Sequence, residues 1–225
     1  MADGKTGEVV LLAAGPTLWD EQGRLGGRAD LGLSPLGELK AKAHAERLAS
    51  ESIAVVLCGP DGASKSAADV IARARGAKVR VMPDLAEMDL GLWEGARREE
   101  LLGRCPKACR GWEQDGAAVV PPEGESWTAV CERAAGAVMK GSGKARGSGG
   151  GLVVVVARPI VVGVLRCWLG KGSQSEEHRC EIGPDAFDRL DRYAGVWAST
   201  SAGWLSGTAV GLGILGIAGG LTGRG

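Results

Sequence analysis

Apolar positions along the chain alternate between two textures. Short continuous runs predict buried strands, and longer stretches with apolar residues every third or fourth position predict helices. The run EVVLLAAG, residues 8–15, ends in glycine and reads as the first strand. SPLGELKAKAHAERLASE, residues 34–51, places Ser34 as a cap and proline next to it, then a helical spacing. IAVVLCGP predicts a second strand, SKSAADVIARARG a second helix closed by Gly76, and AKVRVMPDL a third strand. RREELLGRCPKACRGWEQ is helical with an interruption at Pro106, and ESWTAVCERAAGAVMK is a further helix. GSGKARGSGGG, residues 141–151, reads by composition as a flexible loop. LVVVVA is the purest β-branched run and predicts a central strand. VVGVLRCWLG is then a helix, and AFDRLDRYAGVW, residues 186–197, alternates as a strand does. Strands separated by helices predict an α/β fold with a mostly parallel central sheet and helices on both faces.

The texture changes after Trp197. Residues 193–223 carry no charge, and arginines flank the run. The length suffices to cross a bilayer, so residues 199–222 are expected to form a transmembrane helix with Trp197 and Trp204 at the interface. Gly203, Gly207 and Gly211 repeat every four residues, and Gly216 and Gly220 repeat the spacing, a pattern that lets a neighbouring helix approach closely. A buried or unstructured glycine-rich tail is the alternative, since the chain holds 38 glycines. The expected division is a domain over 1–197 and a membrane segment over 198–225.

Charge narrows the partners. Lys+Arg and Asp+Glu are both 27, so no overall field draws the chain to nucleic acid. The 2 histidines leave little for metal or acid–base chemistry, and no metal or cofactor is expected. The 6 cysteines form no CxxC pair and read as buried thiols in a reducing compartment. Cys105 and Cys109 have the spacing of one helix face, His44 falls mid-helix, and His178 falls in the stretch SQSEEHRC, read as a loop.

Several motifs in order then gain a common meaning. Ala13-Ala14-Gly15-Pro16-Thr17, Trp19-Asp20, Gly23-Arg24 and LGLSPLG follow one another at the start. CGPDGASKSAA, LAEMDLGLWEG, PPEGES and VVARPIVVG come later. Their sequence and spacing resemble the histidine phosphatase superfamily, the phosphoglycerate mutase-like proteins, from Val9 to about Trp197. The resemblance implies a three-layer phosphoglycerate mutase-like domain. In that family a histidine carries the phosphoryl group, two arginines and a second histidine hold its oxygens, and a carboxylate is the general acid.

Carried over by position, the nucleophile falls on Ala14 and the first arginine on Ala13. The glutamate of the first motif falls on Pro16, the Trp-Asn amide on Asp20, and the second arginine on Ala63. The second histidine falls on Arg158, and the acid carboxylate survives as Glu87. These replacements imply no catalytic residue set. The expectation is a non-catalytic pseudophosphatase, an accessory subunit held in an organellar membrane, mitochondrial inner or thylakoid, by its glycine-rich helix against membrane proteins of a larger complex. A regulatory pseudoenzyme binding a protein or metabolite, and a phosphatase with Cys58 as substitute nucleophile, stay open beside it. Arg158, deprived of a phosphate, is expected to bridge to Glu87 or Asp20.

Overall fold

A run of six apolar residues, four of them valines, makes the centre of the molecule. Leu152–Ala157, strand β4, is buried along its whole length, as a strand with parallel neighbours and helices on both faces must be. The structure is a computed structural model that describes residues 7–114, 119–146, 151–169 and 177–182. In chain order the elements are β1 (Gly7–Ala13), α1 (Leu18–Glu21), α2 (Pro35–Arg47), β2 (Ile53–Cys58), α3 (Gly62–Arg75) and β3 (Val79–Val81). There follow α4 (Arg98–Arg104), α5 (Pro106–Gln114), α6 (Trp127–Arg146), β4, α7 (Pro159–Leu169) and β5 (Glu177–Ile182).

The sheet order is β3-β2-β4-β1-β5. β1, β2, β3 and β4 run parallel, and β5 pairs antiparallel with β1. Side-chain alternation splits each inner strand between two cores. Val9, Leu11, Leu57 and Val155 face a core shared with α6 and α7, whereas Val10, Leu12, Val56 and Val154 face one shared with α2 and α3. The result is the expected three-layer α/β architecture.

Capping chemistry sets the helix starts. Ser34 Oγ accepts the Gly37 N–H at 3.1 Å and Asp61 Oδ1 accepts the Ser64 N–H at 2.9 Å. Gly76 closes α3 in the left-handed conformation with φ of 63°. Pro106 interrupts the helix as expected, dividing it into α4 and α5 with Cys105 as the cap of α4, and the Cys109 N–H donates to the Cys105 carbonyl at 3.0 Å across the first turn of α5.

Two other expectations are corrected, and two fall outside the described residues. α6 runs on to Arg146 through residues read as loop, because Gly141 lets the helix close on Leu57, where a Cβ would overlap the leucine side chain. His178 lies in β5, not in a loop, because pairing with β1 outweighs the polar composition of EHRCEI. The strand expected over 186–197, and the membrane helix with Gly203, Gly207, Gly211, Gly216 and Gly220, lie outside the described residues. Among the described residues no helix is long and apolar enough to cross a membrane.

Candidate active site at the strand ends

Parallel strands point their C-terminal ends the same way, and ligands of open α/β sheets bind there. β1, β2 and β4 end together: the Ala14 N–H donates to the Ala157 carbonyl and the Gly59 N–H to the Val156 carbonyl, both at 3.0 Å. Three connections therefore leave from one place. They carry Ala14 to Asp20, Gly59 to Asp61, and Arg158.

Arg158 precedes α7 and is 5% exposed. Its Nη2 donates to Asp20 Oδ1 at 3.0 Å. The expected bridge thus forms, with Asp20 as partner. Asp20 is held for the task by its other oxygen, since Oδ2 accepts the Thr17 N–H at 2.7 Å and the Thr17 hydroxyl at 2.8 Å. That reciprocal cap ties the short α1 to the end of β1. Burial works against the Arg158 charge, but Asp20, Glu87 and Asp61 together raise its pKa further above the usual arginine range. The backbone of Gly26 lies against the guanidinium, where a Cβ would come within 2.8 Å of Nη2. Arg158 Nη1 is buried and has no hydrogen-bond partner among the described residues, and the same holds for Asp61 Oδ2 and Ser64 Oγ.

Glu87 reaches the same region from the loop between β3 and α4. Leu85 and Met88 on either side of it are fully buried and anchor that loop. The carboxyl closes the N-terminus of α7: Oε2 accepts the Ile160 N–H at 3.0 Å and Oε1 the Val161 N–H at 3.2 Å. The Met88 N–H adds a third bond at 2.8 Å. Arg158, the residue that would ordinarily cap this helix, has no short oxygen to offer, and Glu87 supplies one from a distant part of the chain. Burial pushes the Glu87 pKa up to about 7, against the downward pull of Arg158 and the three N–H donors.

The remaining positions singled out in the sequence offer no polar side chain. Ala14 and Ala63 are fully buried and Ala13 partly so. Pro16 contributes only its carbonyl, which accepts the Ser34 N–H at 2.9 Å. Cys58 is fully buried, and burial followed by the charges of Asp61 and Asp69 pushes its thiol up to about 12, so it is no thiolate nucleophile near neutral pH. Among the described residues no group of His, Cys, Asp or Glu could hold a metal ion. Sequence reasoning missed Glu125 and Arg133. The signal available was an arginine inside the apolar stretch AVCERAAGAV of α6.

Residues 9–204 match the family profile described as Histidine phosphatase superfamily (branch 1). The bifunctional protein Rv2228c of Mycobacterium tuberculosis is 38% identical over 133 residues, 59% of this chain and 36% of that protein. The chain spans about a third of the length of that relative. A probable phosphoglycerate mutase GpmB of Cronobacter sakazakii is 27% identical over 206 residues, covering 90% of this chain and 92% of that protein. The solved structure of mycobacterial glucosyl-3-phosphoglycerate phosphatase Rv2419c with VO3 is 27% identical, with a TM-score of 0.67 over 74% of this chain and 82% of that one.

These similarities overturn two expectations. Proteins named as mutase and phosphatase share the fold and most of the chain, which points to an enzymatic function and not to a non-catalytic accessory subunit. Ala14 remains a fact of the sequence, but the step from a missing nucleophile to no chemistry does not follow. The organellar membrane location also falls. The relatives include bacterial proteins; the segment expected to span a bilayer lies outside the described residues, among which no helix is long and apolar enough to cross a membrane.

Proposed function

We propose that this chain, which belongs to the histidine phosphatase superfamily (branch 1), is an enzyme that hydrolyses a phosphate monoester at the strand ends. The observation that carries the reading is Glu87: a buried carboxyl pushed up to about 7 lies within the field of the Arg158 guanidinium. A group with a pKa near the working pH is suited to give a proton to a leaving oxygen. Arg158 keeps one buried nitrogen, Nη1, without a partner among the described residues, and a phosphoryl oxygen fits that donor.

With Ala14 at the end of β1, water is the nucleophile. It attacks phosphorus, the ester P–O bond breaks, and the leaving oxygen takes the proton of Glu87. The attacking water's extra proton passes from the product phosphate to solvent, and solvent reprotonates Glu87. Asp20 and Asp61 lie near the same guanidinium, which favours a substrate phosphoryl with a single negative charge. A phosphate monoester becomes a monoanion below a second pKa of about 6. Substrate charge and Glu87 protonation therefore both favour mildly acidic pH.

The test is phosphate release from a panel of phosphomonoesters by the purified full chain between pH 5 and 8. Turnover is expected to rise as the pH falls toward about 6. Glu87→Gln is expected to lower kcat by about 10²- to 10⁴-fold. Arg158→Ala, which removes a charged hydrogen bond worth about 1.5–3 kcal/mol, is expected to lower kcat/KM by roughly 10- to 150-fold. No turnover above the blank at any pH, or a Glu87→Gln variant as active as the parent, would overturn the reading.

A further inference from the structure

Glu87 reaches the N-terminus of α7 only if its own backbone is held in place, and the side chain that holds it comes from α6. Arg133 Nε donates to Glu125 Oε1 at 2.7 Å and Nη2 donates to Glu125 Oε2 at 2.8 Å. Nη1 donates to the carbonyls of Asp84 at 2.8 Å and Ala86 at 2.7 Å. Nη2 also donates to the carbonyl of Glu87 itself at 3.2 Å. A guanidinium has five N–H groups in a fixed fork, and these five contacts use every one. The carbonyls of Asp84, Ala86 and Glu87 turn to the guanidinium, while the Glu87 side chain reaches the backbone of Ile160 and Val161.

We infer that Arg133 is the positioning residue for Glu87, fixing the 84–87 backbone so that the carboxyl closes the N-terminus of α7. Glu125 is the second half of the device. Besides Arg133 it accepts the Asp89 N–H and an Arg28 nitrogen, both at 3.4 Å, so one carboxylate ties the far side of the same loop. Although burial opposes it, Arg133 holds the Glu125 carboxyl below the usual range. Glu125 therefore stays ionised across the range in which Glu87 titrates. The charged groups facing Glu87 are Arg158 at the start of α7 and, on its carbonyl, Arg133 and Arg28.

The catalytic meaning of this placement rests on the proton-donor reading above, but its test needs no turnover. In the full-length chain, carbon-13 NMR follows the Glu87 carboxyl, and the amide signals of Ile160 and Val161 report its contact with α7. In Arg133→Ala the carboxyl is expected to swing into water, titrate toward the ordinary glutamate value of about 4.3, and stop moving those two amides. Arg133→Lys is expected to behave alike, because one ammonium cannot bridge three carbonyls and a bidentate carboxylate. Where turnover is present, its alkaline limb moves to lower pH with the carboxyl. A folded Arg133→Ala with Glu87 titration and both amide responses unchanged overturns the inference. Should that variant not fold, Glu125→Gln decides: a smaller downward move supports the inference and an unchanged titration overturns it. Absence of turnover in the parent sinks the proposed function and leaves this result standing.

Discussion

At the scale of single residues, Glu87 couples the site to stability. Its ordinary pKa of 4.5 is raised to about 7 by burial, so the folded chain binds this proton more tightly than the unfolded chain does. The stabilisation is complete below about 4.5 and is lost as the pH rises through about 7. At about 1.4 kcal/mol per pKa unit the loss is roughly 3 kcal/mol. Glu87→Gln cannot titrate. Urea unfolding of both proteins at several pH values is expected to show the parent losing more stability than the variant between about 4.5 and 7. Parallel pH dependences would mean that Glu87 is solvated in solution. Glu87 and the Arg158–Asp20 pair were legible in the sequence, because charges placed where a family builds its site must find partners. Arg133 was not: an arginine within the apolar stretch of α6 marks a buried charge, but three of its four partners are backbone carbonyls, which no sequence pattern marks.

At the scale of elements, the turn from β1 to α1 depends on one glycine. Gly15 has φ of 105°, and a Cβ there would lie 2.9 Å from the Gly37 carbonyl oxygen and 3.0 Å from its Cα. A side chain meets strained backbone and the first turn of α2 together, and neither can give way without disturbing the Ser34 cap. Gly15→Ala is expected to cost about 1–3 kcal/mol from the backbone alone, read as a lowered urea midpoint. An unchanged midpoint would show that the strand end is loosely held. Apolar runs and caps announced β1, β2, β4 and most helices, because burial and capping leave local marks. α6 past Lys140 and strand β5 were misread, because tertiary contacts decide them: Gly141 against Leu57 in one case, pairing with β1 in the other. Local composition carries neither.

At the scale of the whole molecule, the site is where segments far apart in sequence meet. Asp20 follows β1, Asp61 follows β2, Glu87 follows β3 and Arg158 follows β4. A ligand held there bridges the start and the end of the parallel sheet, so its binding stabilises the entire fold by mass action. Inorganic phosphate, a product of the proposed reaction, is the simplest probe. At ten times its Kd it adds about 1.4 kcal/mol, which raises Tm by about 3–6 °C at roughly 2–4 °C per kcal/mol for a chain of this size. The sign with pH follows from the charges. Below about 7, Glu87 is neutral and Arg158 faces Asp20 and Asp61; above it, a third carboxylate joins them and opposes the anion. The Tm increment is expected at pH 6, smaller at pH 8, and absent in Arg158→Ala at either. An increment that survives in Arg158→Ala would place the anion elsewhere on the molecule and remove Arg158 from the proposed site.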